Sequence, residues 1–165
     1  MAKIERKYLA HFINAAAPGA EAASYERLGK DLEEFSPELS AQVDTKKNIL
    51  GETSILISSY EKTASVESYY AEKGSPVFER LQSIIDDQLV LDDLKTDVVE
   101  VKLWDEAADG AYPAIKEEAF IEVTSYGGDT TGYQIPFTLH FTGVRTKGTF
   151  NVSTKTFNAA EAAAN

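Results

Sequence analysis

The stretch Ile135-Pro-Phe-Thr-Leu-His-Phe-Thr142 decides the fold class of this chain. Its apolar side chains recur at every second position, with proline or a polar residue between them. Because successive side chains of a strand point to opposite faces of a sheet, this period of two predicts a β-strand with one oily face and one polar face. Proline cannot donate a hydrogen bond to a ladder, so we expect Pro136 at a bulge near the start of the strand.

Weaker alternation on both sides of this stretch predicts further strands. We expect them over residues 25–34, 41–50, 62–71, 99–103, 118–124 and 149–153, with a short apolar run at 55–57. Residues 40–71 are typical of long hairpins with polar tips. Glycine-containing turns are expected at Asp109-Gly110, at Gly127-Gly128-Asp129 and at Thr146-Lys147-Gly148.

One segment, residues 75–89, has the pattern of a helix. Ser75 is suited to the N-cap and Pro76 to the first helical position. One stripe of the predicted helix is apolar and the opposite face is polar; the stripe contains Val77, Phe78, Leu81, Ile84, Ile85 and Leu89, and the polar face Arg80, Gln82, Ser83 and Asp86. The sequence therefore predicts a mainly β (α+β) fold, a β-sandwich or barrel-like domain with one flanking α-helix and long hairpin loops.

The length of 165 residues suits one domain. Residues 15–23 are rich in Ala, Gly and Pro and have no packing pattern, and the last residues are mostly Ala. We therefore expect an N-terminal arm over residues 1–23, a domain over residues 24–157 and a flexible C-terminal tail over residues 158–165.

Composition narrows the possible functions. The formal net charge of −11 argues against a nucleic-acid-binding surface, which needs clustered Lys and Arg. An acidic surface favours solubility, or keeps the protein from holding DNA that passes nearby. The chain has no Cys, no apolar run of the roughly 20 residues that span a bilayer and no secretory signal pattern, so we expect it to be made and assembled in the cytoplasm, away from membranes.

No pattern of catalytic or metal-binding residues stands out. The two histidines, His11 and His140, are far apart in sequence, and neither a nucleophile elbow nor a phosphate-binding glycine loop occurs. Residues 86–97 contain five Asp but lack the spacing of a calcium loop. Glu118 and Glu122 share one strand face without an aromatic sugar platform. We expect no enzyme activity, no metal and no cofactor.

Three stretches of the chain carry a family resemblance. They are Tyr25-Glu-Arg-Leu-Gly-Lys-Asp-Leu-Glu-Glu-Phe-Ser-Pro-Glu-Leu-Ser40; Asn48-Ile-Leu-Gly-Glu-Thr-Ser54 with Tyr60-Glu-Lys and Val66-Glu-Ser-Tyr-Tyr70; and Ser125-Tyr-Gly-Gly-Asp-Thr-Thr-Gly-Tyr-Gln-Ile-Pro-Phe-Thr-Leu-His-Phe-Thr-Gly143 with Lys147-Gly-Thr-Phe150. Together with the order of the elements, they resemble the major tail proteins, or tail tube proteins, of long-tailed bacteriophages that infect Gram-positive bacteria. The likeness covers residues 24–157 and rests on overall pattern.

The resemblance implies a structural protein of the virion tail. Six copies would form a ring, and stacked rings would form a hollow tube. A tape-measure protein would occupy the lumen during assembly, tail-tip (distal tail) and tail terminator proteins would bound the tube, and DNA would later pass through without specific binding.

The resemblance also implies roles for particular residues. Residues 31–53 resemble the family's extended loop, which reaches a neighbouring subunit or ring; its apolar side chains, expected at a subunit interface or in ordinary core contacts, are Leu32, Phe35, Leu39 and Ile49. The candidates for lumen-facing residues occupy polar positions of the alternating strands: Gln42, Asp44, Thr63, Ser65, Glu67, Thr138 and His140.

Two alternatives stay open at the level of the sequence. One is the tube subunit of a phage-tail-like bacteriocin or another contractile injection device, since the sheath that would distinguish it is a separate protein. The other is a secreted β-sandwich that binds carbohydrate or acts in adhesion. The missing signal and the single Trp weigh against that second alternative.

Overall fold

The computed structural model describes residues 2–67, 69–105 and 108–160. Within these residues the secondary structure is almost entirely β. The elements are a 3-10 helix at Arg6–Tyr8, β1 (Leu9–Asn14), β2 (Tyr25–Leu28), β3 (Ala41–Lys47), β4 (Thr53–Tyr60), β5 (Thr63–Val66), α1 (Pro76–Asp87), a 3-10 helix at Leu91–Leu94, β6 (Lys95–Lys102), β7 (Ala111–Val123), β8 (Gly127–Asp129), β9 (Gly132–Gln134), β10 (Phe137–Asn151) and β11 (Thr156–Ala159).

Seven of the strands form one antiparallel sheet in the order β11-β10-β7-β6-β1-β2, with β5 as a second neighbour of β10. The first half of β10 pairs with β5 and its last part pairs with β11. Two separate hairpins, β3–β4 and β8–β9, complete the β-structure. The expected mainly β fold with a flanking helix is confirmed.

Part of the sheet is buried on both faces, because the sheet separates two hydrophobic cores. The helix core lies under α1 and contains Ile13, Phe35, Ala64, Val66, Val77, Leu81, Ile84, Val98, Ala119, Ile121, Ile135, Phe137 and Leu139. The barrel core lies on the opposite face, inside the curl of the sheet, and contains Ala10, Phe12, Tyr25, Val99, Val101, Ala114 and Phe150. Consecutive residues within β1 and within β6 therefore pack into different cores, as Val98 and Val99 of β6 do.

Aromatic contacts close the curl of the sheet. The Phe150 ring lies 4.5 Å from the Phe12 ring and 5.6 Å from the Tyr25 ring, between centroids. The Tyr25 hydroxyl donates a hydrogen bond to Asp97, and burial raises the pKa of this hydroxyl, with Asp97 adding to the effect. Lys155, in the turn before β11, lies 3.3 Å from Glu26 of β2 between Nζ and Oε2. The two ends of the sheet thus approach each other as in an open barrel.

Helix α1 covers the helix core as expected from its apolar stripe. Val77, Leu81 and Ile84 are buried, and Pro76 occupies the first turn. Arg80 was expected on the polar face but is only 6% exposed. Its guanidinium donates hydrogen bonds to three backbone oxygens, those of Ala16, Asp93 and Lys95, and this cluster of carbonyls explains why a charged side chain is buried here. With 12 residues, α1 is the longest helix of the described chain, and no helix there could cross a membrane.

The expected domain boundaries need correction at both ends. Strand β1 lies inside the expected arm of residues 1–23, yet it pairs with both β2 and β6, and Ala10, Phe12 and Ile13 are buried. Tyr8, Ala10 and Phe12 alternate in the sequence, but the stretch is short and its four adjacent buried residues serve both cores, so the sequence alone does not identify the strand. Strand β11 extends into the expected tail of residues 158–165; residues 161–165 of that tail lie outside the described residues.

The turn expected at Thr146-Lys147-Gly148 is wrong, because β10 runs through it to Asn151. Gly148 is needed instead because β11 passes so close to β10 that a side chain would not fit: a Cβ at this position would lie 2.2 Å from the backbone oxygen of Asn158 in β11. The irregularity of β10 is a bulge between Phe141 and Arg145, and Pro136 directly precedes the strand. The pair Asp109-Gly110 does form the expected turn, with φ values of 53° and 80°.

Arg80 gives a test of this packing. Arg80→Met should lower the free energy of unfolding by about 3 kcal/mol, because three buried carbonyl oxygens lose their donor. Urea unfolding followed by tryptophan fluorescence measures the effect. Arg27→Met is the matched control: Arg27 is exposed and donates to one carbonyl, so its replacement should change stability by about 0.5 kcal/mol or less. Equal effects of the two substitutions would contradict the assigned role of Arg80.

Candidate assembly surface

The β3–β4 hairpin stands outside the sheet. Its ladder joins β3 to β4 alone, and all 15 of its strand residues are exposed. A two-stranded hairpin is marginally stable by itself in water, because it has no further strand or helix against which to bury a face. The strands of the hairpin therefore bury no face against the rest of their own chain.

One face of this hairpin is apolar. The register pairs Val43 with Ile57, Thr45 with Ile55 and Ala41 with Tyr60, across a bulge at the Gln42–Val43 step. Val43, Ile55, Ile57 and Tyr60 consequently share one face, which we call the hairpin apolar face, and they are between 55% and 65% exposed. The opposite face is polar apart from Leu56, and contains Gln42, Asp44, Lys46, Ser54 and Ser59. Such an amphipathic and uncovered hairpin is typical of a segment that packs on another molecule.

The tip of the hairpin differs from the expected polar tip. Ile49 and Leu50 occupy the turn, and they are 102% and 77% exposed. Asn48 holds the turn in shape: its side-chain oxygen accepts hydrogen bonds from the Leu50 and Glu52 backbone N–H groups at 2.9 and 3.0 Å. The two apolar side chains are thus displayed on an ordered turn.

A second surface is the outward face of the sheet at β5 and β10. The register pairs Ser65 with Thr138 and Thr63 with His140, and the Ser65 and Thr138 hydroxyl oxygens are 3.5 Å apart. His140 contacts Glu122 of β7. We call this the polar sheet face. The polar sheet face brings together four of the predicted lumen residues, Thr63, Ser65, Thr138 and His140. Two others, Gln42 and Asp44, lie on the hairpin. That these residues face a lumen stays a prediction.

The edge of the polar sheet face is an acidic depression of about 170 Å³. It brings predicted lumen residue Glu67 together with Glu34 and Glu38, beside the hydroxyl groups of Ser36, Thr63 and Ser65. Glu38 is tied to the sheet because its backbone bonds with Thr63 in both directions. The depression therefore concentrates negative charge next to the root of the hairpin.

The four residues predicted for a subunit interface divide into two groups. Phe35 is 7% exposed and belongs to the helix core, and the partly buried Leu32 packs against the same core, so both make the ordinary core contacts that the sequence left open. Leu39 and Ile49 are 56% and 102% exposed and remain candidates. Sequence alone could not divide the group, because the burial of Phe35 depends on β1, where His11 packs edge-on against its ring.

A cluster of charged side chains supports the root of the hairpin. Lys62, which follows the hairpin, lies 2.6 Å from Glu117 and 3.6 Å from Glu100, between Nζ and the carboxylate oxygens. Arg145 at the bulge of β10 lies 3.5 Å from Glu117, and the buried His11 lies 3.4 Å from Glu100. The contact with His11, and further the charges of Lys62 and Arg145, lower the pKa of Glu100 to about 2 against the opposing effect of burial. Sequence analysis missed this cluster because its members come from five separated segments.

The described chain offers no other obvious chemistry. In residues 2–67, 69–105 and 108–160, no three His, Cys, Asp or Glu side chains come together as a metal site. Comparison with models of known protein families finds no match to this chain, and comparison with curated proteins finds no similar sequence. The two surfaces and their charges are therefore the features of the described chain that bear on its function.

Glu100 predicts how stability depends on pH. Its pKa is lower in the folded chain than the usual 4.5, so its contribution is complete above pH 4.5 and is lost as pH falls towards 2. This difference corresponds to about 3 kcal/mol at neutral pH. Glu100→Gln should lower the free energy of unfolding by about that amount at pH 7, and by much less near pH 2.5, in urea titrations.

Glu122→Gln is the control for this experiment, since Glu122 is 56% exposed on the polar sheet face. It should leave the pH profile of the wild type nearly unchanged. A loss for Glu100→Gln that is the same at pH 7 and pH 2.5 would show that its charge does not stabilise the root of the hairpin.

Proposed function

We propose that this chain is the repeating subunit of a hollow bacteriophage tail tube. Six copies form each ring, and rings stack into the tube through which DNA leaves the virion. The role is structural and needs no catalysis or cofactor. The partners are further copies of the chain, a tape-measure protein in the lumen, and tail-tip and terminator proteins at the ends.

The observation that carries the proposal is the hairpin apolar face. Val43, Ile55, Ile57 and Tyr60 are all more than half exposed on a hairpin that its own chain leaves uncovered. Covering these side chains on a neighbouring copy would contribute roughly 1 kcal/mol each. A ring of identical subunits supplies that cover to every hairpin at once.

Open strand edges support the same proposal. The ladder ends at β2 on one side, and β5 and β11 pair only with β10 on the other. Such edges present unpaired backbone groups and favour edge-to-edge association. In a closed ring each edge finds a neighbour, whereas the contacts between rings repeat without closing and so lengthen a tube.

The distribution of charge suits a lumen for DNA. The polar sheet face and the acidic depression combine hydroxyl groups with Glu34, Glu38 and Glu67, and the chain has a net charge of −11. Carboxylates repel phosphate groups, so DNA beside them slides without being held. A bacteriocin or contractile device would use the same surfaces, and its sheath would be a different protein.

Removal of the hairpin tests the proposal. Joining Ser40 to Glu61 through Asn-Gly deletes β3 and β4 at a position where the Glu61 N–H already bonds to the Ser40 carbonyl. Because the deleted residues bury nothing in their own chain, the melting temperature should change by only a few degrees. Assembly should be lost: negative-stain microscopy and mass photometry should show six-fold rings or tubes of constant diameter for the wild type only.

Tail-tip and tape-measure proteins are added in parallel, because a tube subunit can await an initiator. The control is the substitution Glu61→Gln in the full-length chain, which changes a residue next to the deleted segment but keeps the hairpin. A wild-type chain that stays monomeric even with both added proteins would contradict the tube proposal.

The lumen charges give a separate prediction. Replacing Asp44 and Glu67 together by Lys should leave tubes intact while slowing DNA ejection several-fold, because lysines hold phosphate. Ejection from virions that carry the variant can be timed by dye fluorescence after receptor addition. Asp44→Asn with Glu67→Gln should lie between the wild type and the lysine variant, and unchanged ejection in the lysine variant would exclude these residues from the DNA path.

A further inference from the structure

An apolar groove lies between the end of α1 and β7. Its open volume is about 430 Å³, and its apolar lining is Ile84, Ile85, Leu89, Val90, Leu94, Ile121, Val123 and Tyr126. Val90 and Tyr126 at its rim are 62% and 64% exposed. We call this surface the helix groove.

The backbone at the rim is held in an unusual conformation. Gln88, which ends α1, and Leu91 have positive φ values of 47° and 56°, a region that side chains with a Cβ rarely adopt. The Leu89 N–H bonds to the Ile84 carbonyl and fixes this turn. As a result Val90 and Leu91, the latter 80% exposed, project into solvent instead of packing on the core.

Four aspartates flank residues of the helix groove in the sequence, and Glu122 is among the residues that line it. Asp86 and Asp87 end α1, and Asp92 and Asp93 follow Leu91. All four side chains are exposed, and no lysine or arginine side chain of the described residues forms an ion pair with them. The groove therefore fits a partner that is apolar in the middle and basic at its flank.

The hairpin tip has that composition. Ile49 and Leu50 project from the turn that Asn48 holds, and Lys46 and Lys47 directly precede it. Both lysines are exposed and have no carboxylate partner among the described residues. The tip is thus apolar beside two positive charges, whereas the groove is apolar beside four negative charges.

The strand register separates the hairpin from the groove of its own chain. The hairpin leads into β5 at Thr63, which pairs with His140, whereas Val123 in the groove pairs with Phe137 at the start of β10. The hairpin leaves the sheet beyond Thr63, away from that start. This separation favours the tip of a second copy as the occupant of the groove.

We propose that the hairpin tip of one copy inserts Ile49 and Leu50 into the helix groove of another, with Lys46 and Lys47 attracted by the aspartates that flank it in the sequence. This inference rests on the proposed tube function and names the acceptor surface for the hairpin. Tip and groove are different surfaces, so the contact is head-to-tail and every copy both gives a tip and receives one. Such a contact closes into a ring if the rotation between copies closes, and otherwise repeats along a filament.

Cross-linking tests the contact directly, because the chain has no cysteine of its own. Leu50→Cys chains are mixed with Gln88→Cys chains under mild oxidation, and covalent dimers are counted by intact mass. Lys73→Cys, an exposed position in the turn before α1, replaces Gln88→Cys in the control. The tip–groove pair should give at least ten-fold more mixed dimer than the control; equal yields would overturn the proposal, whether or not tubes form.

Charge exchange provides the second test. Lys46→Glu/Lys47→Glu chains should assemble at least ten-fold more slowly than the wild type by light scattering, and so should Asp86→Lys/Asp87→Lys chains. An equal mixture should recover assembly, because each tip then meets a groove of opposite charge on the other variant. The control Lys3→Glu/Lys73→Glu makes the same change in net charge away from the tip, and should assemble normally.

The outcomes separate the two proposals. Wild-type tubes together with a mixture that does not recover would reject the tip–groove contact and leave the tube function standing. Mixed dimers in the cross-linking experiment without wild-type tubes under any condition would support the contact and reject the tube.

Discussion

The fold depends on strand β10 being shared between two packing layers. Phe137 and Leu139 in its first half point into the helix core, and Phe150 near its end points into the barrel core on the other face. The bulge between Phe141 and Arg145 separates the two halves, and the outer edge of the strand passes there from β5 to β11. Because one strand serves both cores, a change at the bulge would disturb the helix layer and the barrel together.

The charged cluster lies where these layers meet. Lys62, Glu100, Glu117 and Arg145 fill the region beside the bulge, and Lys62 is also the residue at which the hairpin joins the sheet. Buried charges are tolerated only when they are paired, so the cluster fixes the positions of the strands that contribute to it. The hairpin consequently starts from a rigid base although its own strands are uncovered.

A rigid base and an uncovered hairpin together suit assembly. The hairpin does not need to fold against its own domain, and its apolar face and tip remain available to neighbours. The acidic depression and polar sheet face lie beside the same base. In the proposed tube, the hairpin would hold neighbouring copies together, and the acidic depression and polar sheet face beside it would carry the charge that DNA meets.

The sequence by itself determined the elements whose residues bury one face. Strict alternation at residues 135–141 and the apolar stripe of residues 77–89 identified β10 and α1, because a periodic burial pattern is a local property of the chain. It also grouped Thr63, Ser65, Thr138 and His140 as polar positions of strands. Tertiary structure alone decided the rest. Strand β1 is short and buried on both faces, so it lacks the pattern of one buried and one exposed face. Gly148 lies where β11 passes close to β10, and not in a turn. The buried charged residues Arg80 and Glu117 have partners that are distant in sequence. Phe35 and Ile49 are both apolar residues of the segment 31–53, yet Phe35 is buried where His11 of β1 packs against its ring, whereas Ile49 is fully exposed at the tip of the hairpin.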